Sequence, residues 1–135
     1  MDYVCRIYLG ILSGYHIVTG IVSMFFPEFA MEFYKKLYHC EPLKRDDLFL
    51  IMKPWGALAA FAGIVGCYAA SDPVRYEGVI RGLILLLVFR IYYRLAFARE
   101  LGQHANIPRG RNLISVAMIA AGVVILGTWC LLGVP

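Results

Sequence analysis

Two arginines lie four residues apart inside a long apolar stretch, YEGVIRGLILLLVFRIYYRLAFARE, at residues 76–100. On a helix this spacing puts Arg90 and Arg94 on one face, with Tyr93 next to them. If the stretch crosses a membrane, Arg90 lies past the bilayer centre, where an arginine costs about 2.5–3.5 kcal/mol on insertion scales. Arg90 then has to snorkel, bind backbone carbonyls, meet a neighbouring chain, or hold an anionic or carbonyl-bearing ligand. For Arg94, nearer the edge, snorkelling suffices.

A histidine, His16, lies near the middle of the first apolar stretch. A polar ring at that depth must be satisfied by a neighbour or by water. Either His16 is a neutral ring bonded to its own helix, or it contacts a ligand or handles protons. One hypothesis is therefore a pocket open to the cytoplasmic leaflet for a quinone, a lipid or a sterol-like molecule. Its candidate lining residues are Arg90, Arg94, Tyr93, His16, Trp55 and Lys53.

Cysteines supply a second candidate chemistry. Cys5, Cys67 and Cys130 fall in the same outer third of the predicted spans, whereas Cys40 falls on the other side. A pair among the three could form a disulfide in an oxidising compartment, which would suit a thiol-redox protein. The alternative is that each is a small apolar side chain in its helix.

The sequence lacks the motifs that several other kinds of chemistry require. It has no HExxH motif, no phosphate-binding glycine-rich loop, no paired carboxylates within a span and no histidine or cysteine spacing typical of a metal site. Hydrolysis, phosphoryl transfer and carboxylate-driven export are therefore disfavoured. We expect no catalytic residues, no metal and no evident cofactor, although a quinone or lipid remains possible as a ligand.

The amino-acid composition indicates that membrane-spanning helices position the candidate residues. Of 135 residues, 61% are hydrophobic and only 16% are charged, which is far more apolar than a soluble domain. Four stretches have the length of a membrane span, at about 4–26, 48–70, 78–98 and 112–134. The sequence thus predicts a single all-α domain over residues 1–135, an integral membrane four-helix bundle. Its basic residues are dispersed, which argues against a nucleic-acid partner.

Lysines and arginines predict the orientation. Nine of them lie at the connections between spans 1 and 2 and between spans 3 and 4, and three on the opposite side, with Arg90 set aside. The positive-inside rule then puts both termini on the non-cytoplasmic side. After the first span, PEFAMEFYKKLYH has charged residues on one helical face and Phe29, Phe33 and Leu37 on the other. This pattern predicts a short interfacial helix.

Small residues at four-residue spacing indicate where helices approach closely. In the first span Gly10 and Gly14, with Ser13 beside them, form one such strip. In the second span Gly56, Gly63 and Gly66 occur among alanines. We expect the spans to pack through these glycines.

The chain resembles a known group in its order of elements. A glycine-bearing first helix is followed by PEFAMEFYKKLY, then PWGALAAFAGIVGCYAA, an Asp-Pro turn and a helix with FRIYYR. This order resembles the DoxX-like small four-helix membrane proteins, and FYKKLYHCEP before a Trp-Gly helix is similar to the four-helix scaffold proteins of ergosterol biosynthesis. DoxX-like proteins include subunits of quinone-linked oxidoreductases, and the scaffolds tether enzymes without catalysing. The resemblance implies an accessory role and supplies no catalytic residues.

The leading hypothesis is therefore a non-catalytic accessory or scaffold subunit of a larger membrane complex, in contact with lipids and with other membrane subunits. The first alternative is a membrane binding protein with an Arg90-lined pocket. The second alternative is a thiol-redox membrane protein.

Overall fold

The computed structural model describes residues 2–38, 45–104 and 106–132, and all regular secondary structure in these ranges is helical. The helices are α1 (Asp2–Phe25), α2 (Pro27–Tyr38), α3 (Arg45–Ser71), α4 (Glu77–Ala96), α5 (Ala98–His104) and α6 (Arg109–Leu132). The predicted helical fold class is confirmed. Cys40 and His39 lie outside the described residues.

Within the part of the chain that the structure describes, three helices are long and apolar enough to cross a membrane: α1, the part of α3 over Met52–Ser71, and α6. Their outer surfaces are covered with large apolar side chains, of which Ile11 (69% exposed), Phe61 (65%) and Met118 (71%) are examples. A soluble protein does not expose apolar surface on this scale. The chain therefore has the features of a membrane protein. Helix α4 is also 20 residues long, but it contains one acidic and three basic side chains.

The most extensive helix contact in the chain joins α1 to α3. Glycines make this contact close. A Cβ atom added at Gly20 would lie 2.6 Å from the Gly56 carbonyl oxygen, and one at Gly63 would lie 2.7 Å from the Ser13 carbonyl oxygen. Gly66 faces the Ser13 hydroxyl in the same way. The backbones of α1 and α3 thus touch with no room for a side chain between them.

This contact corrects one expectation. Gly56, Gly63 and Gly66 do face the neighbouring helix, but an added Cβ at Gly10 or Gly14 would have nothing within 4 Å. Helix α1 packs on α3 through Ser13 and Gly20 instead of through Gly10 and Gly14. The physical reason is rotational: Gly10 and Gly14 are exposed because they lie on a different side of α1 from Ser13 and Gly20.

Helix α4 pairs mainly with α6, and the two helix pairs meet at one end of the molecule, here called the closed end. The cluster that forms the closed end is Cys5, Leu9, Ala69, Ile80, Leu87, Leu126 and Trp129. The fully buried Trp129 donates its indole N–H to Asp2 at 2.7 Å. Arg6 donates to the carbonyl oxygens of Ala70 and Ser71, which satisfies acceptors at the C-terminus of α3.

At the opposite end the two pairs are held separately. A second cluster of Ala30, Met31 and Met52 joins α2 to α3, with Val22 of α1 against it. The structure describes no buried cluster that joins this group to the ends of α4 and α6. The pairs therefore enclose a space between them at this end.

Two connections have clear local causes. The Asp72 carboxylate accepts the N–H of Arg75 at 3.2 Å, which closes the predicted Asp-Pro turn before α4. Between α5 and α6, Asn106 has φ 50°, a left-handed conformation that asparagine tolerates better than most residues. The connection between α4 and α6 is partly helical, because α5 continues to His104 and α6 already begins at Arg109. Pro54 lies inside α3 without ending it.

The α1–α3 seam predicts opposite results for two similar substitutions. Gly63→Ala puts a methyl group against the backbone of α1 and should destabilise the protein by about 1–3 kcal/mol. Gly14→Ala should be neutral or stabilising by up to about 1 kcal/mol, since alanine favours helix and the site is open. The free energy of unfolding in mixed micelles would be measured for both variants. Equal effects would contradict the described contact between α1 and α3.

Candidate functional site

The space between the helix pairs is a cleft of about 510 Å³. Its walls come from α1, α2, α3 and α4. The described residues that line it are Tyr15, His16, Thr19, Tyr34, Trp55, Leu58, Ala59, Ala62, Leu86, Arg90 and Arg94. Aromatic and aliphatic surfaces with a few polar groups are typical of a site for a small amphipathic molecule, and the volume is in the range of such sites.

His16 and Arg90 form a hydrogen-bonded pair at this cleft. His16 Nδ1 lies 2.7 Å from the Leu12 carbonyl oxygen, which can only accept, so Nδ1 carries the proton. His16 Nε2 then has a free lone pair and accepts an N–H from Arg90 Nη1 at 3.2 Å. The Tyr15 ring meets the imidazole edge-on, with ring centroids 5.4 Å apart. A neutral His16 thus holds one corner of the Arg90 guanidinium.

Arg94 is held from the other side by α6. Its Nη1 donates to Asn112 Oδ1 at 3.0 Å, and Asn112 Nδ2 donates to the Arg94 carbonyl oxygen at 2.8 Å. Asn112 is buried, so this reciprocal pair fixes the C-terminal part of α4 against the start of α6. Arg94 therefore contributes a positioned positive charge at the edge of the cleft.

The structure brings four of the six candidate ligand-binding residues together. Arg90, Arg94, His16 and Trp55 all line the cleft. Tyr93 does not, because its ring packs on Phe97 at 5.0 Å along the exposed side of α4. Lys53 is exposed and is also not among the lining residues.

Several lining residues were not identified from the sequence. Thr19 and Leu58 lie three residues beyond His16 and Trp55, so helical spacing alone could have found them. Tyr34 could not be found in this way, because its position depends on how α2 folds back against α1. Its hydroxyl lies 3.2 Å from the Ser23 hydroxyl. Asn112 resembles a loop-edge residue in the sequence, and only the α4–α6 contact gives it a role.

The three described cysteines are free thiols. Cys5 is buried in the closed-end cluster and Cys130 packs against that cluster. Cys67 is exposed. None of the three lines the cleft, so thiol chemistry and the cleft would be separate sites.

Comparisons with known proteins place no further constraint on the site. No family model, no curated protein and no solved structure matches this chain.

The Arg94–Asn112 pair predicts non-additive effects. Asn112→Ala removes both hydrogen bonds and should destabilise the protein by about 0.6–1.7 kcal/mol, from the average to the largest value found for one interhelical hydrogen bond in a membrane protein. The Arg94→Leu variant should make the Asn112→Ala change less harmful, because part of the same interaction is already gone. Ser115→Ala is the matched control, since the Ser115 hydroxyl donates to the Arg111 carbonyl oxygen within α6. Strict additivity in this double-mutant cycle would contradict the pair.

Proposed function

We propose that this protein is a multi-pass integral membrane protein that binds an amphipathic small molecule in the cleft between its helix pairs. The observation that carries the proposal is the cleft itself, in which a half-buried arginine and histidine face aromatic and aliphatic walls. A quinone, a lipid or a sterol-like molecule has the required combination of one polar end and an apolar body. The resemblance to DoxX-like proteins is the reason to count quinones among the candidate ligands.

The proposal includes a topology. With α4 as a fourth span beside the three apolar helices, the chain forms a four-helix bundle with both termini on one side. The lysines and arginines of α2, α5 and the start of α6 favour the cytoplasm for the opposite side. The cleft then opens toward the cytoplasmic leaflet, with α2 at the interface. Exposed Phe29 and Phe33 on α2 support that location.

Filling the cleft tests this function without assuming what the ligand is. Ala59 lines the cleft, whereas Ala57 is exposed on the same helix and is not among the lining residues. Ala59→Phe should remove a co-purified small molecule, and Ala57→Phe should leave it in place. Native mass spectrometry of protein extracted with its lipids would measure this. Equal retention in both variants, or no retained molecule in the wild type, would contradict the proposal.

A second candidate function is a scaffold or accessory subunit of a larger membrane complex. The observation in its favour is the strip of Gly10 and Gly14, where an added Cβ atom would meet no atom of the described residues within 4 Å. In a bilayer, small residues at this spacing allow the backbone of another helix to approach closely. The strip is therefore available to a partner subunit.

The subunit hypothesis predicts that assembly depends on this strip. Gly10→Leu with Gly14→Leu should release the protein from any complex in native extracts, because leucine side chains would block a close helix contact. Gly82→Leu is the control, since Gly82 on α4 is equally open. Native electrophoresis or mass spectrometry would compare the complexes. An unchanged complex in the double variant would contradict this second function.

A further inference from the structure

We propose that the molecule bound in the cleft is an anionic lipid whose phosphate or carboxylate headgroup is held by Arg90. This inference rests on the proposed binding function and narrows its ligand class. It follows from three features of the cleft: the charge of its lining, the hydrogen bonds still available to Arg90, and the apolar surface next to that arginine.

The charge of the described lining is positive. Arg90 and Arg94 both contribute to it, and none of the described lining residues is acidic. Elsewhere on α4 an arginine does have a carboxylate partner, because Arg81 donates two hydrogen bonds to Glu77, at 2.8 and 2.5 Å. Arg90 has no such ion pair among the described residues, although it is the more buried of the two arginines. A ligand with negative charge would supply the missing partner.

Most N–H donors of the Arg90 side chain have no partner among the described residues. A guanidinium has five N–H donors. Among the described residues, Arg90 makes one side-chain hydrogen bond, the one to His16. That bond goes to a neutral acceptor, so it orients the guanidinium without neutralising it. His16 is thus a positioning residue, and the other edges of Arg90 can bind two oxygens of a phosphate or carboxylate at once.

The walls next to Arg90 indicate that the anion is attached to an apolar body. Leu86 lies one helical turn before Arg90 on α4, and Leu58, Ala59 and Ala62 of α3 line the same cleft. Trp55 lies on the same side of α3, with an amphipathic ring suited to a headgroup region. A free inorganic anion would leave this apolar surface and most of the 510 Å³ unused. A lipid would place its headgroup at Arg90 and its apolar chains against the apolar walls of the cleft.

Trp55 makes the inference measurable, because bromine atoms on a nearby lipid quench indole fluorescence. The full chain would be reconstituted in vesicles of phosphatidylcholine with a fraction of brominated phosphatidic acid, brominated oleic acid or brominated phosphatidylcholine. The Trp55→Phe variant gives the contribution of the buried Trp129, which is subtracted. We expect brominated phosphatidic acid and brominated oleic acid to bind about tenfold or more tightly than brominated phosphatidylcholine, the effect of one charge-assisted bidentate contact.

Substitutions at Arg90 assign this preference. Arg90→Gln should abolish it, Arg90→Lys should keep part of it because the charge remains, and Arg81→Gln should leave it unchanged. Retained preference in Arg90→Gln would overturn the inference. So would a neutral short-chain quinone that displaces the anionic lipid equally well from wild type and Arg90→Gln. Displacement by millimolar inorganic phosphate alone would also overturn it, because the site would then bind a free anion and not a lipid.

Failure of this inference can be told apart from failure of the proposed function. If anionic and zwitterionic lipids quench equally but Ala59→Phe removes a saturable part of the quenching, the cleft binds a ligand that is not selected by charge. If each brominated lipid quenches Trp55 fluorescence equally in the Ala59→Phe and Ala57→Phe variants, Trp55 reports only bulk lipid. The second result contradicts the binding function itself.

Discussion

The backbone contact between α1 and α3 is the constraint on which the rest of this structure depends. In a bilayer, apolar side chains gain little by leaving lipid for protein, so helices associate through close packing and hydrogen bonds. Gly20, Gly56 and Gly63 allow that close packing over much of the length of both helices. Because α1 and α3 form one tight unit, α4 and α6 are left to form the second. The space between the two units is then set by how they meet.

The described buried cluster that joins the two units lies at one end, and the cleft, with the His16–Arg90 hydrogen bond across it, lies toward the other. The closed end is sealed by Trp129, Leu9 and Ile80, all of which are fully buried. Toward the other end, α1 is occupied with α2 and α3, while α4 is fixed to α6 by Arg94 and Asn112. The same arrangement that divides the helices into pairs therefore provides a polar site inside an otherwise apolar molecule.

The helical class and two residues of the candidate site could be predicted from local sequence patterns. A charged or polar side chain within an apolar stretch is costly unless something binds it. The residue types and positions of Arg90 and His16 were therefore enough to make both candidate binding residues. The helical class follows from apolar length and composition in the same way. Spacing could not decide which side of α1 faces α3, since Gly10 and Gly14 satisfy the small-residue rule as well as Ser13 and Gly20 do. Nor could it pair Arg94 with Asn112 or bring Tyr34 to the cleft, because these contacts depend on how separate helices pack against one another.

A neutral His16, protonated at Nδ1, holds Arg90 at the cleft, and a measurement of the protonation state of this imidazole is the most direct test. Nitrogen-15 solid-state NMR of histidine-labelled protein in lipid bilayers at neutral pH distinguishes the two tautomers and the cation, and a His16→Gln sample assigns the signal among the three histidines of the chain. We expect a protonated Nδ1 and an unprotonated, hydrogen-bonded Nε2 whose nitrogen-15 signal shifts when Arg90 is replaced by glutamine. A proton on Nε2, or a signal indifferent to Arg90, would contradict it.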